Sequence, residues 1–191
     1  MKEQVEDKRR ALMEAALKLF TERGFHGTST AQISKEAGVA TGTLFNYFPT
    51  KEDLINGLYF EVKGQLSRSM GKDIQAESSF QDKLRRIWYN LVEWGIGNQD
   101  EFLFVGQFCS SPYITNYTRE IVMKEYVFLH DLVKEGIADE EIRDFSEELT
   151  IAMFYQASRT VVNFILDFDP QDKDKVMEDG FQLIWRGLAK K

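Results

Sequence analysis

Residues 28–54 read TSTAQISKEAGVATGTLFNYFPTKEDL, and the fold turns on this stretch. Ser29 stands three residues before Gln32, the spacing of a capping box, in which a side-chain oxygen and an amide each satisfy a backbone donor at a helix start. A helix is therefore expected from Thr30. Ile33, Ser34, Ala37 and Val39 supply its inward set, and Gly38 falls where the chain must turn sharply and a positive φ is often needed. A second short helix is expected over 41–48, with Leu44 and Phe48 on one face and Thr41, Phe45 and Asn46 toward another. Pro49 ends it, and Thr50 with Asp53 repeats the capping box to open a third helix. Two short helices about a glycine turn, followed at once by another, are the layout of a helix-turn-helix reader of DNA. Lys51 sits in the first turn of that third helix, where a cation opposes the macrodipole. A phosphate held there explains the lysine better than folding does.

Outward from this stretch the chain is helical throughout. Leu12, Ala15, Ala16, Leu19 and Phe20 recur at one-face helical spacing and predict a helix over 5–23, with Gly24 as its stop. Lys8, Arg9 and Arg10 precede that stripe, either as a solvated helix end or as contacts to a flanking phosphate. Leu54, Ile55, Leu58, Val62 and Leu66 mark a helix over 50–70 that joins the reader to the body. In the body, a Ser79-to-Asp82 capping box opens a helix carrying Phe80, Leu84, Ile87, Trp88 and Leu91, and a phenylalanine-rich helix covers 100–108. Ser111 and Pro112 read as N-cap and first-turn proline of a long helix reaching 136. Two further helices are expected over 144–166 and 171–190. No segment alternates apolar and polar residues over a sustained run, so no strand is expected. The fold class is all-α: a three-helix DNA-binding domain over 1–50, followed over 51–191 by a larger helical bundle for ligand binding and dimerisation.

Composition narrows the function classes. The 191 residues carry a net charge of −7, which by itself argues against nucleic acid. The acid is unevenly placed, however: residues 1–52 hold eight Lys and Arg against seven Asp and Glu, and residues 53–191 hold sixteen against twenty-four. A near-neutral reader can still meet phosphates through local lysine, hydroxyl and backbone donors. No run approaches eighteen apolar residues, and the charged start MKEQVEDKRR has no apolar segment after it. A soluble, cytoplasmic protein with no membrane partner is expected. Cys109 is the single cysteine and has no cationic sequence neighbour to activate its thiol, while His26 and His130 are far apart. No disulfide, metal site or cofactor is expected. A glycine-rich phosphate loop, a G-x-S-x-G elbow and an H-E-x-x-H pair are all missing, so catalysis is not expected.

The N-terminal quarter resembles the TetR family of transcriptional regulators without insertion. The resemblance is carried by Gly24, Phe25, Thr28, Ser29, Ile33, Ala37, Gly38, Val39, Gly42, Thr43, Leu44, Tyr47, Phe48, Lys51 and Leu54. Phe45 departs from the family's more usual tyrosine, and the hydroxyl that commonly reaches a phosphate is missing. The resemblance implies that Ser29, Thr30, Thr41, Gly42, Phe45, Asn46, Tyr47 and Lys51 approach double-stranded operator DNA, and that Leu44 and Phe48 pack the reader's own core. Chemically, Thr41, Thr43, Asn46 and Tyr47 offer hydroxyl and amide groups suited to phosphates and base edges. The resemblance also implies a repressor released from a palindromic operator by a small hydrophobic or aromatic effector. Trp88, Trp94, Phe104, Phe108, Tyr113, Tyr117 and Tyr126 are the candidate effector-binding residues, although aromatic stripes at helical spacing serve equally as bundle core. The last two helices are apolar on more than one face, which fits either a homodimer interface, as the resemblance implies, or burial in one large monomer core. The rival class is a helical protein-interaction module with no DNA role. It accounts for the aromatics and the acidic body but not for Lys51 after a short, capped, polar helix.

Overall fold

Three of the expected helix starts carry the cap that the sequence indicates. Ser29 N donates to Gln32 Oε1 at 2.8 Å while Gln32 N donates to Ser29 Oγ at 3.2 Å. Thr50 and Asp53 exchange bonds of 3.0 Å in both directions, and Asp82 N donates to Ser79 Oγ at 3.1 Å. The computed structural model describes the backbone of residues 2–190 and the side chains of residues 6–190. Ten α-helices are described: α1 (Lys2–Arg23), α2 (Thr30–Glu36), α3 (Thr41–Tyr47), α4 (Lys51–Met70), α5 (Phe80–Gly97), α6 (Gln99–Phe108), α7 (Asn116–Lys124), α8 (Val127–Ala138), α9 (Glu147–Phe168) and α10 (Lys173–Leu188). One 3-10 turn, Ile74–Ala76, lies between α4 and α5. Among the described residues there is no strand, only an isolated bridge between Ile142 and Ala189.

The chain divides into two units. The first comprises residues 1–64 and 99–122, and the second residues 65–98 and 123–191. The first is therefore discontinuous: α6 and most of α7 join the helices of the reader, and its members extend past residue 50. Its interior holds Leu12, Ala16, Phe20, Ile33, Leu44, Leu54 and Ile55, all fully buried. Thr28, also buried, turns its hydroxyl onto Leu19 O and Gly24 O, each at 2.9 Å, and so ties the turn after α1 back to that helix. The interior of the second unit centres on Trp88, whose indole N–H donates to Met177 O at 2.8 Å. Its ring meets Phe154 edge-on at 5.4 Å and Phe181 at 6.3 Å. Close approach of α10 to α5 and α9 depends on Gly180, where a Cβ would lie 2.6 Å from Val161 Cγ2 and 2.8 Å from Trp88 Cζ2.

The long helix expected from Ser111 to Gly136 is two helices. Ser111 does not cap a helix; its hydroxyl accepts from Tyr113 N at 3.3 Å in a local turn, and Thr115 caps α7 through Thr118 N at 3.1 Å. Arg119 reaches back from α7 and donates to Cys109 O and Ser111 O, which holds the turn over residues 109–115 in place. Between α7 and α8 the chain tightens, with Tyr126 N donating to Met123 O at 3.0 Å. Glu125 O, released from the helical ladder by this break, accepts from Ser67 Oγ at 2.6 Å.

Candidate nucleic-acid interface

The reader is built so that α3 has one face locked and one free. Leu44 is fully buried, and Phe48, just past the end of α3 in extended conformation, is buried as well. Thr41, Gly42, Phe45 and Asn46 are exposed, and Thr43 and Tyr47 half-buried. Gly38, at φ +68°, makes the turn from α2 to α3 in the left-handed region that favours glycine, and Val39 N closes it on Ser34 O at 2.9 Å. Ser29 is exposed and Thr30 half-buried at the start of α2. Seven of the eight residues singled out for DNA thus lie on α3 or at the start of α2. On α1, Arg9 lies over the Phe48 ring at 5.6 Å and pairs with Glu61 at 3.6 Å, while Arg10 is paired with Asp7 at 3.4 Å.

Lys51 has a role inside the fold. Its ammonium donates to Phe25 O and lies 4.0 Å from the centre of the Phe25 ring. Partial burial holds its pKa below the usual lysine range. The cation at this helix start thus has a folding explanation beside the expected phosphate: the carbonyl and ring of Phe25 take the place of an anion.

Phe25 is the hub of a cluster that joins the turn between α1 and α2 to the segment between α6 and α7. Tyr113 stacks on it face to face, with ring centres 3.9 Å apart and planes at 14°, and the Tyr113 hydroxyl is hydrogen-bonded to His26 Nε2. Asn56 on α4 locks the same segment: its amide donates to Tyr113 O at 2.8 Å, and its oxygen accepts from Thr115 N at 2.9 Å. Asn56→Ala is expected to cost about 1–3 kcal/mol, the penalty for leaving such backbone groups unpaired. Hydrogen exchange at the Thr115 amide is expected to accelerate with it; unchanged protection there would show that the side chain does not hold the turn.

The candidate effector residues are not one set. In the first unit, Phe104 and Phe108 are buried with ring centres 4.9 Å apart, Phe108 also meets Phe20 at 6.1 Å, Tyr113 stacks on Phe25, and Tyr117 is 72% exposed. In the second unit, Trp88, Trp94 and Tyr126 are buried, and Trp88 is enclosed by Phe154 and Phe181. Trp88 and Phe108 are thereby committed to interior packing, and Tyr117 faces outward.

A residue whose environment the sequence reading missed is Lys63. It follows Tyr59 by one turn and is half-buried on α4, and burial pushes its ammonium down to about 8, only partly offset by the nearby Cys109. Signs follow directly. Between about 8 and the ordinary 10.5 the unfolded chain binds more protons than the folded one, so stability rises with pH across that window. Melting of the wild type is expected to shift upward from pH 7.5 to 9.5 relative to Lys63→Met, and parallel curves for the two proteins would remove Lys63 as the cause.

Comparison with known proteins agrees with this architecture. Residues 12–58 match the family model described as bacterial regulatory proteins, tetR family, and residues 59–189 match the tetracyclin repressor-like C-terminal domain. The fatty acid metabolism regulator protein of Bacillus subtilis (strain 168) is 25% identical over 186 residues, spanning 94% of this chain and 95% of that one. A crystal structure of a putative tetR family transcription regulator from Shewanella sp. PV-4 superposes with a TM-score of 0.88 at 29% identity, covering 96% of this chain and 99% of that chain. The transcriptional regulator FadR from Bacillus subtilis, solved in complex with stearoyl-CoA, shares the fold with a TM-score of 0.75 at 24% identity, covering 93% and 98%. With both parts of the chain matched by the family models, and with α2 and α3 built as a helix-turn-helix, the protein belongs to the TetR family of DNA-binding transcriptional regulators.

Proposed function

We propose that this regulator is a cytoplasmic homodimeric repressor that leaves a palindromic operator when an apolar effector binds its body. The observation that carries the dimer is the outer surface of α9 and α10. Leu149, Met153, Phe164, Phe168 and Leu183 are exposed there, and a groove of about 270 Å³ lined by Leu149, Met153, Phe154, Leu183, Ile184 and Leu188 runs between the two helices. An exposed apolar surface of this kind favours a partner, and a second copy related by a two-fold axis meets it with the same residues. Two copies would set their α3 helices in successive major grooves, about 34–36 Å apart. Ser29, Thr30, Thr41, Gly42, Phe45, Asn46 and Tyr47 form the contacting set, and Lys51 supports it from behind through Phe25.

For the effector, the resemblance to a fatty acid metabolism regulator and to a FadR solved with stearoyl-CoA makes long-chain acyl-CoA the first probe. The test is fluorescence anisotropy of the purified protein on DNA from immediately upstream of its own gene and on a scrambled duplex, at two salt concentrations, with and without stearoyl-CoA. Tight, salt-sensitive binding to the first duplex, reversed by the acyl-CoA, is the expected result. Binding that the acyl-CoA leaves untouched while it raises the melting temperature would remove the inducer role, because release requires different affinities for the two states.

A further inference from the structure

Phe45 is 44% exposed on the free face of α3, where a large aromatic ring contributes little to the fold and keeps apolar surface in water. Gly42 lies three residues before it. Glycine weakens a helix relative to alanine, yet a Cβ at 42 would meet nothing within 4 Å, and its φ is not among the positive ones. Neither the backbone nor the protein's own packing calls for glycine there. Residues three apart are neighbours on a helix surface, and a helical side chain covers the turn N-terminal to its own Cα. The space at Gly42 is open, with no atom of the Phe45 ring within 4 Å of a Cβ placed there, and it neighbours an exposed aromatic side chain on the same helix surface. The ring has no hydroxyl, so it cannot donate to a phosphate. In the major groove the base edges present one apolar group, the C5 methyl of thymine.

We infer that Gly42 and Phe45 form a thymine-methyl subsite, so that each half of the operator carries a thymine beneath the Phe45 ring. The inference rests on the reading of α3 as the recognition helix, and it assigns Phe45 to base selection rather than to the DNA backbone.

The test uses the full-length protein and a duplex enriched by it from a random-sequence library. Each thymine of that duplex is replaced in turn by deoxyuridine, which removes only the methyl. One thymine per half-site is expected to weaken wild-type binding about fourfold when replaced, the factor for one methyl-sized group taken from water. The same replacement is expected to have no effect on Phe45→Ala, whose own affinity is lower, and to keep its effect on Phe45→Leu, which retains an apolar side chain. Matching melting temperatures of the three proteins would show that the variants fold. A duplex that is enriched but insensitive to deoxyuridine, or equally sensitive with Phe45→Ala, overturns the subsite while leaving the operator-reading function intact. Failure to enrich any duplex overturns both.

Discussion

Replacing Trp88 with alanine is expected to remove about 3–5 kcal/mol of stability, the range for truncating a large buried aromatic. The indole is fully buried, its N–H is spent on Met177 O at 2.8 Å, and Phe154, Phe181 and the Cα of Gly180 close around it. Against a total of about 5–15 kcal/mol for an ordinary domain, the variant would be near the limit of folding. Trp88→Phe keeps a ring and loses the hydrogen bond, for an expected cost of about 1–2 kcal/mol. Urea unfolding at one fixed protein concentration measures both. A loss below about 1 kcal/mol for the alanine variant would show that the interior is not organised around this residue and would return it to the list of effector contacts.

Leu183→Asp is expected to leave the folded chain nearly as stable as before while converting the proposed dimer to monomer. Leu183 is 78% exposed on α10, and exposed substitutions cost within about 0.5 kcal/mol. Across a two-fold interface the change acts twice and buries a carboxylate opposite Leu149 and Met153. Hot-spot losses of about 2–4 kcal/mol per side, doubled by the symmetry, would weaken association by about a thousandfold or more, and operator affinity would fall with it because one reader binds one half-site. Sedimentation velocity at micromolar concentration reads the first effect and anisotropy the second. A dimer that persists would move the interface away from the α9 and α10 surface.

Much of this architecture is legible in the residues themselves, for a local reason. Ser29 with Gln32, Gly38, Pro49 and Thr50 with Asp53 act within one helical turn, and their hydrogen bonds form between neighbours in the chain, so spacing alone announces them. What was not legible depends on partners far off in sequence. Val122, Tyr126, Leu129 and Val133 keep helical spacing across the break between α7 and α8, so one helix and two give the same pattern. The break is stabilised by Ser67, 58 residues earlier. The internal partner of Lys51 is distant in the same way, because the carbonyl it serves belongs to Phe25, 26 residues away. Lys63 differs: a lysine between Tyr59 and Leu66 on an apolar stripe is a visible signal, obscured by the length of the stripe around it. The aromatic residues of the body could not be sorted by sequence, since a ring that lines a cavity and one that fills it occupy the same helical positions.

The discontinuity of the first unit bears on how the protein is made. Phe20 of α1 packs on Phe108 of α6, and Gln107 donates to Thr21 O at 3.3 Å, so the segment bearing α1, α2 and α3 leaves the ribosome before its packing partner has been translated. At about 5–20 residues per second the interval between residues 50 and 108 lasts about 3–12 s. During that time the nascent reader presents an uncovered aromatic side.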